Sequence, residues 1–382
     1  MILEVNKMAG SVFGKLLQIS TFGESHGAAL GVVIDGFPAG VALTPELIRP
    51  YMDRRRPGTS SVTTSRSEAD AVEILSGVFD GRTTGAPVAM LIRNTSQRSS
   101  DYEAIRDLYR PGHADYGFDA KYGFRDYRGG GRSSGRETAA RVAAGALCMQ
   151  LLEMLGVTCT AYTASIGPVT ASVQPEDPVD RALVASSATG MPDPAADERA
   201  KAYIEECHAR GDSAGGVVVC TVTGLPAGIG DPVFDKLDAR LAQAVMSIGA
   251  VKAVEIGDGI QAAMHTGSEN NDAFLPDGRG GVTKRTNHAG GILGGISDGS
   301  PVIVRAHFKP TPSVAGEQDT VNTAHEAAKI AVQGRHDPCV VPRAVVVVES
   351  MCAITVLDAL LVNMSARADR IADFYSDLRG NS

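Results

Sequence analysis

The sequence predicts an α+β fold in which two strand-and-helix halves pack as a sandwich rather than as a doubly wound sheet. Three observations predict it. Residues 31–40, GVVIDGFPAG, and residues 216–228, GVVVCTVTGLPAG, are both β-branched stretches ending in Gly-x-Pro-Ala-Gly. Each leads to a helix start with proline at its first position, Thr44-Pro45 and Asp231-Pro232. TGAPVAMLIRN at 84–94 is then echoed, in the same order, by DGSPVIVRAHFK at 298–309. Finally, strands fall between helices without long, regular βαβ alternation.

A chain of 382 residues, 43% hydrophobic, has ample core for this. We read it as one domain over 1–382, with pseudo-repeats of about 8–150 and 205–345. A Pro-, Ala- and Asp-rich connecting segment covers about 165–205, and a helical tail 350–382. Within this frame RETAARVAAGALCMQLLEMLG, 136–156, is the clearest helix, with apolar 3.6-residue spacing and a terminal glycine. Thr323-x-x-Glu326 reads as a capping box opening a helix over 323–333 that stops at Gly334.

Composition narrows the function. Net charge is −8, which opposes nucleic-acid binding. No apolar run approaches the ~20 residues of a membrane span, and the N-terminus lacks a signal pattern. Met8 opens MAGSVFG and reads as an alternative start. Six scattered cysteines without a CxxC point to reduced thiols and a cytoplasmic protein. The eight histidines never share a helix face at ligand spacing, so no metal site is expected. Arginine nonetheless clusters, at Arg54, Arg55 and Arg56, at Arg125, Arg128, Arg132 and Arg136, and at Arg335 and Arg343. Cationic patches on an acidic protein suggest a small, highly anionic ligand.

The densest of these patches is GFRDYRGGGRSSGRET, 123–138. Ser134-Gly135-Arg136-Glu137 fits a capping box, with Ser134 as N-cap of the long helix. Glycines 129–131 bare the backbone N–H groups, and the helix N-terminus and Arg132 add positive charge, so the stretch reads as a phosphate cradle. It is not a Walker loop, because no Gly-Lys-Ser/Thr follows. Phe22-Gly23-Glu24-Ser25-His26-Gly27 offers an exposed histidine able to move protons near neutrality. Arg110-Pro111-Gly112-His113 offers another, and Gly334-Arg335-His336-Asp337-Pro338 a cation and a candidate carboxylate base, although Asp-Pro is also a common turn. Asp53-Arg54-Arg55-Arg56 can grip an anion with two of its forks. AGGILGGI at 289–296, leading to Lys309-Pro310-Thr311-Pro312-Ser313, suits a large planar, phosphorylated cofactor.

With these residues in view the sequence strongly resembles the chorismate synthase family, through FGESHG, DRRRPG, RPGHADY, KYGFRDYRGGGRSS, VKAVEIGDG, NHAGGILGGISDG, KPTPS and GRHDPC. The resemblance implies a β-α-β sandwich, usually a homotetramer. It implies conversion of the small-molecule substrate 5-enolpyruvylshikimate 3-phosphate to chorismate and phosphate with reduced FMN (FMNH2), with NADPH as a possible reductant and no membrane or nucleic-acid partner. It further implies catalytic roles for His26, which gives a proton to departing phosphate, and for His113 near the flavin. Asp337 would lie beside the flavin, working with Ser25 and Ser134. FMN would meet Arg132, Ser133, Ser134, Gly249, Ala250, Gly294, Lys309, Pro310, Thr311, Pro312, Ser313 and Arg335. Substrate anions would meet Arg55, Arg56, Arg110, Arg136 and Arg335. The chain departs from the family pattern at Gly135, usually alanine, and at Gly249, usually asparagine. It departs also near Ser61, where relatives often carry arginine, and at Gly10-Ser11, which lacks a following asparagine.

Overall fold

The computed structural model describes residues 10–58, 68–95, 99–332 and 337–380. Two five-stranded antiparallel sheets face a layer of helices. The first contains β1 (Val12–Phe13), β2 (Gln18–Gly23), β3 (Ala29–Asp35), β4 (Val72–Ser76) and β5 (Val88–Arg93), in the order β1-β2-β3-β5-β4. The second contains β6 (Thr158–Ile166), β7 (Val169–Thr170), β8 (Gly216–Thr223), β9 (Val251–Ile256) and β10 (Val302–Phe308), in the order β9-β10-β8-β6-β7. Alternation sets their inner faces: Leu30, Val32 and Ile34 of β3 are buried, as are Val218, Cys220 and Val222 of β8.

Between the sheets run α3 (Thr138–Met154) and α7 (Val341–Asn363), packed on one another and each on one sheet. They cross so closely at Gly145 that a Cβ there would lie 2.3 Å from Ser350 Cβ. Flanking them are α1 (Pro45–Arg55) and α6 (Leu237–Met246); α2 (Asp115–Tyr122), α4 (Arg181–Ser186) and α5 (Pro194–Ala209) are further helices before α7. The halves share one order: two core strands, a helix (α1 or α6), two further core strands, then the central helix (α3 or α7). The layering is that of a β-α-β sandwich.

Several expectations need correction. The second sheet starts at Thr158, well before residue 205, and the segment between holds the helix Pro194–Ala209. Asp231-Pro232 leads to a single 3₁₀ turn at Val233–Asp235, and α6 itself begins at Leu237. Residues 323–330 are not helical: Gln318–Val321 pairs with Ala327–Ile330 as a hairpin, and His325 adopts a φ of +65° at the turn. Asn322 accepts the Ala324 and Glu326 amides there, so the polar spacing that reads as a capping box builds a turn. The first part of the segment read as a tail is core, while the helix Ala368–Gly380 that ends it is exposed over 368–377: α7 begins at Val341 and has a mean hydropathy of 2.3 over its most apolar window, long and apolar enough to cross a membrane. That window is 83% buried inside the protein, as a core helix should be. All six cysteines are buried with free thiols. Met8 and Ser61 lie outside the described residues.

Candidate active site

The turn between β2 and β3 carries Ser25 and His26. Asn94, just beyond β5, pins it by donating to the Glu24 and Gly27 carbonyls at 2.9 and 2.8 Å. Gly129 presses on the other side: its φ is +76°, and a Cβ there would lie 2.7 Å from His26 Cδ2 and 3.1 Å from Ser25 Oγ. Only glycine permits this approach. Ser25 Oγ is buried and has no hydrogen-bond partner. The His26 ring stands edge-on to Tyr102, with centroids 5.2 Å apart, and the Arg110 guanidinium sits over the same tyrosine.

Arg110 organises the next layer. It is 6% exposed, donates from Nε and Nη2 to Asp115 at 2.8 and 2.7 Å, and from Nη2 to the Gly129 carbonyl at 2.8 Å. Burial pushes the Asp115 carboxyl up, but Arg110 outweighs it and leaves the group below the usual carboxylate range. The following turn delivers His113. Its Nδ1 lies 3.1 Å from the Pro111 carbonyl oxygen and so carries a proton; its Nε2 faces Ser313 Oγ at 3.0 Å. Lys309 Nζ donates to the Gly112 carbonyl at 2.8 Å, and the Lys309 amide donates to the Ala250 carbonyl. Burial and the Lys252 charge lower the Lys309 pKa, and among the described residues no carboxylate pairs with it. Thr311 Oγ1 is a second buried hydroxyl without a partner.

At the mouth of α3 Ser134 caps the entering 3₁₀ turn, its Oγ accepting the Arg136 amide at 3.3 Å. The capping box is only half made, because the Glu137 carboxylate accepts from Thr21 and Arg141 instead of reaching back. Ser133 donates to the Gly130 carbonyl, and Gly249 lies alongside it. Arg132 is turned toward β2, donating to Thr21 Oγ1 at 2.7 Å and to the Gly23 carbonyl, so the cradle's own arginine braces the sheet edge rather than an incoming anion.

The expected substrate arginines are held by protein carboxylates. Arg55, 1% exposed, donates to Asp70 Oδ2 from Nη2 at 2.6 Å, and Arg136 donates to Asp70 Oδ1. Arg136 also reaches Asn94 Oδ1, and Glu68 is 4.0 Å away. Burial brings Arg55 down to about 10; Asp70, which burial alone would raise, is held low by the two guanidiniums. Arg55, Arg110 and Arg136 therefore have their forks engaged by protein carboxylates: the buried chain needed counter-charge and supplied it. Arg54 pairs with Glu349 at 2.6 Å, while Arg56, paired with Asp53 at 3.2 Å, remains partly exposed. Asp337 binds Arg343, whose Nε donates to the Arg55 carbonyl.

Contacts thus join Ser25, His26, Gly129, Arg110, His113 and 309–313 in one continuous run, and Ser133 to 249–250 beside it. Asp337 attaches to the far side, through Arg343 and Arg55. Gly294 is not brought in: its hairpin meets Leu237 at the start of α6, whereas Gly249 and Ala250 follow the helix's end, about 15 Å away for ten residues. Arg335 lies outside the described residues. Sequence reasoning missed Asp70, Asn94 and Tyr102. Asp115 stood in the quoted RPGHADY stretch and could have been found from its proximity to Arg110. Asp70 carries no local signal.

The residues fit a flavin phosphate. Two buried hydroxyls without partners, bare glycine backbone at Gly129–Gly131 and a lysine held by the Gly112 carbonyl supply donors and room for an anionic, planar group.

Comparison with known proteins is consistent throughout. A family profile described as "Chorismate synthase" matches residues 17–361. The chain is 57% identical over 371 residues to the chorismate synthase of Agathobacter rectalis, covering 97% of this chain and all of that one. It is 52% identical to that of Methanocella arvoryzae, over 93% of this chain and 95% of the relative. A solved structure titled "Crystal Structure of Chorismate Synthase" superposes with a TM-score of 0.74 at 32% identity, covering 96% of this chain and 98% of the other.

Proposed function

The chain belongs to the chorismate synthase family, and from that premise we propose how its own residues share the work. The reaction is a 1,4-anti-elimination: 5-enolpyruvylshikimate 3-phosphate loses phosphate to give chorismate, with reduced flavin and no net redox change, closing the shikimate pathway to the aromatic amino acids. Reduced FMN, when bound, supplies an electron-rich ring that can lend charge to the substrate and recover it. Ser133, Ser134, Gly249, Ala250 and Lys309 to Ser313 would hold it, with Arg335 as a further contact.

His26 protonates the departing phosphate, which leaves more readily as it loses charge. Tyr102 and Gly129 fix the plane of its ring for that transfer. His113 keeps its Nδ1 proton on the Pro111 carbonyl, so its charge changes at Nε2, the nitrogen shared with Ser313. Arg110 positions Gly129 and so acts through His26. Lys309, Arg56 and Arg335 meet the substrate's phosphate and carboxylates; the Arg55–Asp70–Arg136 group keeps the wall behind them rigid. Asp337 serves as the carboxylate, with Arg343 orienting it. NADPH as reductant, homotetrameric assembly and a cytoplasmic location complete the proposal.

The observation that carries this reading is the contact run from Ser25 and His26 through Gly129 and Arg110 to His113 and Ser313. Its test is chorismate formation under anaerobic conditions with prereduced FMN, repeated with NADPH and oxidised FMN only. Turnover in the first arm is expected to fall about 100-fold or more in His113→Ala and in Asp337→Asn. Undiminished turnover in both variants would remove these residues from the chemistry. The second arm decides whether this chain reduces its own flavin.

A further inference from the structure

Away from the active site, beyond the far end of β9, three side chains from separate segments converge. Asp258 follows β9, His265 ends the 3₁₀ turn Gly259–Met264, and His288 opens the glycine-rich run before the hairpin at 292–297. Their potential ligand atoms all lie within 4.8 Å of one another. Both imidazoles present Nδ1 to a single oxygen: Asp258 Oδ2 is 2.5 Å from His288 Nδ1 and 3.8 Å from His265 Nδ1. The two rings stand edge to face, 5.7 Å apart. We propose that Asp258, His265 and His288 form a binding site for a divalent transition-metal ion of the zinc class.

Geometry and chemistry agree on this. Ligand atoms about 2.0–2.1 Å from a tetrahedral zinc are about 3.3 Å from one another, and the two observed separations from Asp258 Oδ2 bracket that spacing. Small side-chain rotations bring the three donors into place, leaving a fourth position for water. Two imidazoles and one carboxylate favour zinc and its late-transition neighbours over magnesium or calcium, which take all-oxygen sets.

The backbone that carries the site is also braced from behind. The Asp272 carboxylate accepts the His288 and Ala289 amides at 2.8 and 3.0 Å and the Thr286 hydroxyl at 2.7 Å, fixing the segment that carries His288. The Asp258 amide donates to the His288 carbonyl at 2.8 Å. Gly257 and Gly290 let the two backbones touch, since a Cβ on Gly290 would lie 2.3 Å from the Gly257 nitrogen. Two of the three ligands are therefore set by locked backbone. The six residues of β9 separate this cluster from Ala250 by about 20 Å, so the ion would act on structure, tying the 257–265 segment to the 286–291 run.

The test is titration of full-length protein, stripped with EDTA, with Zn²⁺ by calorimetry and with Co²⁺ by its visible absorption. One equivalent per chain is expected, with a Co²⁺ spectrum of tetrahedral type. Affinity is expected to fall about tenfold or more in His288→Ala and in His265→Ala, and binding to vanish in the double variant. His265 is exposed and touches Asp258 only at 3.8 Å, so its removal leaves the fold intact should His288→Ala destabilise it. Absence of a one-to-one event in the unaltered protein overturns the proposal. So does an unchanged isotherm in the double variant, which would place the ion on other histidines; the buried cysteines do not compete.

Discussion

Two regions flank the cradle and handle charge in opposite ways. In the Arg55–Asp70–Arg136 knot, guanidiniums and carboxylates are buried together and answer one another, with Glu68 adding the second negative charge. At the junction of 110–113 with 309–313, the Lys309 ammonium donates to the Gly112 carbonyl and has no carboxylate partner among the described residues, and two hydroxyls nearby, on Ser25 and Thr311, have no partner. The first region spends its charge on the fold, while the second keeps polar capacity for a ligand. The difference teaches that clustered arginine in a sequence does not by itself locate the anion site. What locates it is the charge that the protein leaves unanswered.

The largest break comes from the knot. Asp70→Asn keeps the shape but leaves Arg55 and Arg136 buried without their counter-charge, and is expected to cost about 3–5 kcal/mol. Urea unfolding at neutral pH measures it. A loss below about 1 kcal/mol would mean that the knot is solvated and its arginines are available to substrate after all.

The next effect belongs to the junction and should fall on rate more than on stability. Gly129→Ala places a Cβ in the left-handed region, at about 1–2 kcal/mol, and against the His26 edge. Displacement of a catalytic ring on that scale is expected to lower chorismate formation about 100-fold. Lys309→Met, which keeps the side chain's bulk, is expected to raise the substrate KM or the FMN Kd about tenfold while leaving the unfolding midpoint nearly unchanged. If Lys309→Met instead destabilises the protein as Asp70→Asn does, the contrast between the two regions is lost.

Much of this was legible in the sequence, for physical reasons that can be named. The paired strand-Gly-x-Pro-Ala-Gly segments became β3 and β8, because β-branched runs and positive-φ glycines act locally. The helix at 136–156 appeared almost as read, since its apolar spacing is continuous. The start of the central helix α7 was read late, at 350 instead of 341, because Arg343 and Glu349 interrupt its apolar run. The charges of this helix are satisfied from far away: Arg343 by the Arg55 carbonyl, Glu349 by Arg54 and the Ala161 amide, Asp358 by the amides of Lys15, Leu16 and Leu17 and by Arg240. The same long reach hid the knot, since nothing around Asp70 announces two arginines 15 and 66 residues distant. The Asp258–His265–His288 cluster escaped for a like reason, being assembled from three segments rather than one helix face.

The smallest expected effect tests whether the Arg110–Asp115 pair belongs with the knot or with the junction. Asp115 is buried like Asp70 and titrates below its ordinary range, yet Arg110 also holds the Gly129 carbonyl beside His26. Because the folded-state pKa is depressed, the pair's stabilisation is complete above the unfolded value of about 3.9 and is lost as pH falls through the lower folded value. Asp115→Asn is therefore expected to cost about 1–2 kcal/mol at pH 7. The gap in urea midpoint from the unaltered protein should narrow as pH drops from 5 toward 3. A pair that is merely structural would change stability and leave KM and kcat alone. A pair that positions Gly129 should also lower kcat at pH 7 while KM stays put, because the His26 ring loses the backbone that presses it into place.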